Sequence, residues 1–141
     1  MLNEELREKR GLTYSAYSYF SPYLLQGPFA IGLQTRKDQA WEAIDVAMAT
    51  LEQFVRDGPT KAQLQAAKRY VIGGFALNID SNAELVGYVA MVGFYHLPLD
   101  YLDRFPDQVN AVTLDEVKDA LRRRLIPSKM VTVVVGPVSR P

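Results

Sequence analysis

The period of the hydrophobic pattern changes near residue 37, and this change limits the possible folds more than any other feature. Residues 14–21 alternate between two faces, and residues 29–35 continue with the same period of two. Residues 37–57 instead repeat apolar side chains every three or four positions. A period of two indicates strands, and the longer period indicates an amphipathic helix. Because the link between the two alternating runs is short, the pattern predicts an antiparallel hairpin followed by a long helix.

Several helices are predicted after this point, because three capping boxes mark helix starts. Each box pairs a Ser or Thr with a Glu or Gln three positions later: Thr60 with Gln63, Ser81 with Glu84, and Thr113 with Glu116. Gly73 and Gly74 interrupt the first of these helices, and we expect them to allow close packing of the helix on the sheet. The apolar, β-branched run Met130–Val135 predicts a final central strand that is buried on both faces.

Strands and helices therefore occur in runs, and this order predicts an α+β fold. We expect an antiparallel or mixed sheet with several helices packed on one face. A chain of 141 residues is large enough for a real core, so residues 1–141 are predicted to form a single domain.

Composition and charge exclude several classes of function. With 16 basic and 16 acidic side chains, the chain has no net charge to attract nucleic acid or an anionic membrane surface. No apolar run is long enough to span a membrane, and the absence of cysteine leaves the redox compartment open. The single histidine, His96, cannot build a zinc site, and no H-x-x-E-H motif is present. We therefore predict a structural role for His96 at a helix end and no metal or cofactor site in this chain.

The segment from Leu6 to Tyr14 predicts the end of a helix, a glycine stop at Gly11 and the entry to a strand. It places a cation, Arg7, and a phenol, Tyr14, on either side of a rigid turn. Both groups can donate hydrogen bonds to peptide carbonyls. The alternative is a solvated arginine beside a tyrosine at the end of a sheet.

Aromatic side chains are concentrated in the predicted hairpin and its link. They are typical of strands and can pack on helices, but they can also line a wall for an extended peptide. The sequence leaves both interpretations open for this set: Tyr14, Tyr17, Tyr19, Phe20 and Tyr23.

Residues 6–22, LREKRGLTYSAYSYFSP, resemble the arginine–tyrosine segment in the C-terminal half of pitrilysin/insulinase-type zinc metallopeptidases, which include the mitochondrial processing peptidase. Residues 27–88 resemble the strand, the long helix and the helix with L-x-x-A-K that follow in that half. Residues 97–137 resemble its closing helices and last strand. The family's half has a strand and a helix before this point, so the resemblance predicts an N-terminally truncated domain.

The resemblance implies that this chain is the non-catalytic, inactive half of a zinc metalloprotease and completes its peptide-binding chamber. Arg7 is expected to bind a substrate main-chain carbonyl, and Tyr14 to donate to the oxygen of the tetrahedral intermediate. The resemblance implies no cofactor in this chain and zinc in a catalytic partner half that carries H-x-x-E-H, either fused upstream or separate. By itself the chain is predicted to be inactive.

The predicted partners are that catalytic half, a peptide substrate and a second copy bound through an exposed sheet edge. The alternative function is a purely structural or interaction subunit of the same superfamily, without a catalytic duty. An unrelated α+β binding module is the third possibility. The sequence leaves the compartment open, because the bacterial periplasm or cytoplasm and the mitochondrial matrix are all compatible with it.

Overall fold

The predicted α+β class is confirmed by a computed structural model that describes residues 1–77 and 81–137, with a two-stranded antiparallel sheet and several helices. The described residues form two compact units, one from Met1–Gly58 with the chain from Asp119 onward and one from Pro59–Lys118. The single-domain organisation stays a prediction. In chain order, the elements are a π-helix (Glu4–Glu8), β1 (Ala16–Phe20), β2 (Phe29–Leu33), a 3₁₀ turn (Lys37–Gln39), α1 (Ala40–Asp57), α2 (Lys61–Leu77), α3 (Asn82–Phe94), α4 (Tyr101–Ala111), α5 (Leu114–Arg124) and a second 3₁₀ turn (Pro127–Lys129).

The core of the first unit lies where the N-terminal segment and the hairpin meet α1. Leu6, Leu12 and Ala16 form one buried cluster with Ala43 and Ala47 of α1. Leu6 and Ala43 are both 0% exposed, so no solvent reaches this contact. Alanine side chains on the helix let the hairpin and the preceding turn lie close to its backbone.

The hairpin pairs β1 with β2 in antiparallel register, as the short link predicted. Ala16 lies opposite Leu33, and Phe20 lies opposite Phe29. Ala16 is buried against α1, so this face of the hairpin is the inner one. The other face therefore points away from α1 and carries Tyr17 and Tyr19.

Ring contacts hold the helices of the second unit together. Phe75 of α2 lies 4.6 Å from Phe105 of α4 and 5.6 Å from Tyr88 of α3, measured between ring centroids. Lys68, only 9% exposed, donates from Nζ to the carbonyl of Asn110 at 2.6 Å. This carbonyl lies in the last turn of α4, where a cation is favourable to the helix dipole.

All three capping boxes are confirmed. The hydrogen bond from the backbone N–H of Thr113 lowers the pKa of the Glu116 carboxyl below its usual value. The capping bonds run from Thr60 N to Gln63 Oε1 (2.8 Å), from Glu84 N to Ser81 Oγ (3.3 Å) and from Thr113 N to Glu116 Oε2 (2.7 Å).

Two predictions about packing are wrong. The run Met130–Val135 is not a buried central strand, because it has no strand assignment and Val131, Val133 and Val135 are 86%, 79% and 93% exposed. A β-branched run adopts strand structure through pairing with a neighbour, and no neighbouring strand is paired with it among the described residues. Gly73 and Gly74 have no heavy atom within 4 Å of the position a methyl group would take, so they do not allow close packing.

No helix in the described parts of the chain combines the length and the apolar character needed to cross a membrane.

Replacing Lys68 by Met should destabilise the protein by about 1.5–3 kcal/mol, because the aliphatic stem remains and the charged hydrogen bond to Asn110 is lost. Urea unfolding followed by circular dichroism measures this loss. Lys61→Met is the matched control, because Lys61 is exposed in the first turn of α2, and its effect should stay within about 0.5 kcal/mol. Equal effects of the two substitutions would show that the buried bond does not stabilise the fold.

Candidate functional site

A tight turn joins the π-helix to β1, and buried leucines hold it at both ends. Gly11 has φ +62°, which confirms the predicted glycine stop. Its N–H donates to the carbonyl of Arg7 at 3.0 Å, and the N–H of Leu12 donates to the carbonyl of Leu6 at 2.7 Å. Leu6 and Leu12 are 0% and 3% exposed. The turn is therefore fixed to the core while the residues between the leucines face outward.

Arg7 differs from the other cations of this segment, because no carboxylate is paired with it among the described ion pairs. Lys9 and Arg10 both pair with Glu5, at 2.5 Å and 3.8 Å. The hydrogen bond from Lys9 lowers the pKa of Glu5 and keeps both groups charged. The Arg7 guanidinium instead lies over the ring of Tyr14, with Cζ 5.2 Å from the ring centroid. This is cation–π geometry.

Tyr14 is held in place by its buried neighbour. Thr13 is 7% exposed, and its hydroxyl donates to the carbonyl of Gln34 at 2.6 Å. The N–H of Ser15 donates to the same hydroxyl oxygen at 3.2 Å, which delays the start of β1 to Ala16. Tyr14 itself is 84% exposed, so its phenol is available to a ligand.

A shallow depression of about 430 Å³ lies beside this pair, at the open end of the hairpin. Its walls combine apolar surface with hydrogen-bond donors and acceptors. The lining residues are Gly11, Leu12, Thr13, Tyr14, Gln34, Thr35, Arg36 and Gln39.

Two residues that shape this depression were missed by the sequence analysis. The hydroxyl of Thr35 donates to the carbonyl of Leu12, and Thr13 binds Gln34 in the same manner. These bonds tie β2 to the turn and so fix the position of Tyr14. The partners lie 23 and 21 positions apart in sequence, so no local motif indicates them.

The structure brings the two predicted site residues, Arg7 and Tyr14, together. Arginine offers several N–H donors and tyrosine offers one O–H donor, so the pair can bind and polarise a peptide carbonyl. Within residues 1–77 and 81–137, no group of three or more His, Asp or Glu side chains could hold a metal ion. A zinc ion therefore does not fit the described residues of this chain.

His96 closes α3, in agreement with the predicted role at a helix end. It has φ +53°, its N–H donates to the Gly93 carbonyl at 3.3 Å, and the N–H of Leu97 donates to the Val92 carbonyl at 2.9 Å. This pair of bonds is the Schellman arrangement, in which the residue after the helix is left-handed.

The tyrosines of β1 face solvent in the described structure. Tyr17 and Tyr19 are 57% and 50% exposed, and their rings stack with centroids 6.1 Å apart. No helix in the described residues covers them, so packing on helices is wrong for this face. A peptide wall remains open as its interpretation.

An apolar groove of about 670 Å³ runs along the outer edge of β2. Residues Ile31–Thr35 form one wall, and residues 130–137, which have no helix or strand assignment, form the other. Ile44 and Met48 of α1 contribute to its floor. Because β2 pairs only with β1 among the described strands, its outer backbone groups can accept another strand.

Comparison with known proteins gives one matching family description. A model for the "Peptidase M16 inactive domain" matches residues 1–71, half of the chain. A solved structure described as the peptidase M16 inactive domain from Pseudomonas fluorescens has 39% sequence identity and a TM-score of 0.84, over 96% of this chain and 34% of that chain.

Two curated relatives carry contrasting names. "Uncharacterized zinc protease YmxG" of Bacillus subtilis (strain 168) is 28% identical over 136 residues, which are 96% of this chain and 33% of the relative. "Non-peptidase homolog YmxG" of Helicobacter pylori (strain ATCC 700392 / 26695) is 26% identical over 124 residues, 86% of this chain and 28% of the relative. The chain thus spans about a third of the length of the relatives it matches.

Replacing Gly11 by Ala should destabilise the protein by about 1–2 kcal/mol, because an L residue at φ +62° is strained even where its methyl group has space. Gly73→Ala in α2 is the control, and it should stabilise by about 0.5–1 kcal/mol because the helix has open space there. Thermal melts of both variants test the contrast, which fails if the two shifts have the same sign.

Proposed function

The chain belongs to the peptidase M16 inactive-domain family, and from that premise we propose that it completes the peptide-binding chamber of a zinc protease and stabilises the transition state through Arg7 and Tyr14. One observation carries the proposal. The Arg7 guanidinium lies 5.2 Å from the ring centroid of the exposed Tyr14, on a turn anchored by buried leucines. Two outward donors are therefore held together before any ligand binds.

The proposed chemistry is electrostatic. As a peptide carbonyl is attacked, negative charge develops on its oxygen, and fixed donors stabilise that charge without reorganising. Tyr14 is proposed to donate its O–H to this oxygen. Arg7 is proposed to bind a neighbouring main-chain carbonyl, and its charge strengthens that bond in the ground state as well.

The remaining chemistry is assigned to another part of the assembly. The described residues of this chain contain no metal-ligand group, so the zinc and the groups that activate water belong to the proposed catalytic half. The names of several relatives include the words zinc protease, and this chain spans about a third of their length.

A scaffold function is the second candidate. The relative from Helicobacter pylori is called a non-peptidase homolog, so a similar sequence also occurs in a protein whose name excludes peptidase activity. In a scaffold, the contact between Arg7 and Tyr14 stabilises only the turn. The two candidates differ in what the Tyr14 hydroxyl does, because the ring alone supports the cation–π contact.

The outer edge of β2 is the proposed site of strand pairing with the rest of the assembly, or with a second copy when that part is absent. The run Met130–Val135 lies across the groove from this edge; its valines are exposed, and it carries no charge. Natural sheet edges that stay solvated usually carry charges or proline. This edge has neither from Phe29 to Leu33.

Tyr14→Phe should lower kcat of the assembled peptidase by about 10²–10³ with little change in KM, because one oxyanion donor is lost and the ring remains. Arg7→Ala should also raise KM, since the charge-assisted bond to the main chain is lost. Tyr70→Phe is the control, because Tyr70 is 82% exposed on α2 and remote in sequence from the site. Steady-state kinetics and thermal melts of the three variants distinguish the catalytic function from the scaffold function. Full activity of Tyr14→Phe would contradict the catalytic function and support the scaffold function.

The chain alone should associate into dimers or larger species at micromolar concentration, because the β2 edge and the valines beside it are exposed. Val133→Lys should weaken this association by placing a charge in the groove wall. Val86→Lys, at a 67% exposed site of α3, is the matched control and should not. Light scattering over a wide concentration range measures the mass. A monomer at every concentration contradicts the proposal.

A further inference from the structure

The hairpin lies within the longest uncharged stretch of the chain. From Gly11 to Thr35 there is no Asp, Glu, Lys, Arg or His, although 23% of all residues are charged. A solvated hairpin ordinarily carries charges on its outward face and edges. Here the outward face carries the half-exposed rings of Tyr17 and Tyr19 instead.

The outward face has a defined shape, which we call the tyrosine shelf. It consists of Tyr17 and Tyr19 on β1 and the residues opposite them on β2, Gly32 and Ala30. The two rings stack at an interplanar angle of 21°. Large side chains on one strand thus lie opposite small residues on the other.

Gly32 sets the position of the Tyr17 ring. A methyl group built on Gly32 would lie 2.4 Å from Cζ of Tyr17, much closer than two carbon atoms approach. The ring therefore leans across β2 into the space that glycine leaves. Because the atoms met are the far end of an exposed side chain, a methyl group there moves the ring without unfolding the strand. Gly32 is a positioning residue for Tyr17.

We propose that the tyrosine shelf binds the peptide substrate and selects stretches with uncharged side chains. The inference rests on the proposed function for its ligand and extends it to substrate specificity. Tyr14 lies two residues before β1, and five residue steps separate it from Tyr19, a length of at most about 17 Å for an extended chain. A peptide of five or six extended residues with one carbonyl bound at Tyr14 is therefore long enough to reach the shelf.

The neutrality of the shelf fixes the chemistry it selects. A charged peptide side chain laid on it gives up water and finds no opposite charge within residues 11–35, which is unfavourable. An aliphatic or aromatic side chain buries apolar area against rigid rings that lose little conformational entropy. The polar hydroxyls keep the empty shelf compatible with water.

Direct binding to the chain tests the shelf separately from catalysis. The probes are three capped pentapeptides, acetyl-Ser-Ala-X-Ala-Ser-amide, in which X is Leu, Glu or Lys. Amide shifts of the labelled chain, followed by NMR, should concentrate in residues 14–20 and 29–33. The Leu peptide should bind about fivefold to tenfold more tightly than either charged peptide, with no dependence on salt.

Two variants should remove this preference, and two controls should keep it. Gly32→Ala displaces the Tyr17 ring and Tyr17→Ser removes it, so each should weaken binding of the Leu peptide about fivefold to tenfold. Gly73→Ala and Tyr70→Ser make the same chemical changes in α2 and should leave binding unchanged. An intact melting curve for Gly32→Ala, with its binding lost, separates positioning from folding.

Three outcomes would overturn the proposal: equal affinity for the charged peptides, unchanged binding in Gly32→Ala, or shifts located away from the shelf. Protection of the Tyr17 and Tyr19 rings from a soluble tyrosine-modifying reagent in the assembled enzyme without peptide would also overturn it, by showing that a protein partner covers this face. Failure of the proposed function gives a different result. If Tyr14→Phe leaves kcat unchanged, Tyr14 has no catalytic role, whereas peptide binding at the shelf is unaffected.

Discussion

Burial of Leu6 and Leu12 against α1 is the constraint on which the candidate site depends. Full burial of each leucine is worth about 1.5–3 kcal/mol, and both contact the same alanine face of the helix. The chain between them must leave a helix and reverse before the strand begins at Ala16, and Gly11 at φ +62° makes that possible. Arg7 follows Leu6 directly on the helix, so the burial of Leu6 turns it outward. The buried core thus sets the direction in which the guanidinium points.

Charge divides the first unit into two surfaces with different capacities. Lys9 and Arg10, which follow Arg7, pair with Glu4 and Glu5, whereas the Arg7 guanidinium lies over the ring of Tyr14. Residues 11–35 carry no charged side chain, so recognition there must depend on apolar contact and hydrogen bonds. A main-chain carbonyl is the same in every peptide, whereas a side chain is not. The charged end therefore suits general binding of peptides, and the neutral hairpin suits selection among them.

The sequence predicted the features that are fixed by local chemistry. Capping boxes depend on residues three apart, and all three formed; the left-handed Gly11 follows from the helix end before it. The pairing of Arg7 with Tyr14 depends on one turn, and the resemblance pointed to it. The threonine that fixes Tyr14 binds a carbonyl 21 residues away, so no local pattern could show it. The prediction of a central strand for Met130–Val135 was wrong for a related reason. Its composition fits a strand, but strand structure requires a neighbour, and the described residues supply none.

The contact between Arg7 and Tyr14 has a consequence for any ligand that reaches it. Two flexible side chains that are already in contact lose less freedom on binding than two that must be gathered, so more of the interaction energy appears as affinity. The cation–π contact uses the face of the ring and leaves the phenol O–H at its edge free to donate. The contact between the ring and the guanidinium is therefore compatible with both candidate functions. Only the catalytic function also requires the hydroxyl. The hydroxyl has no structural task in this contact and lies on an 84% exposed side chain, so the two candidate functions differ only in whether it donates to a ligand or to water.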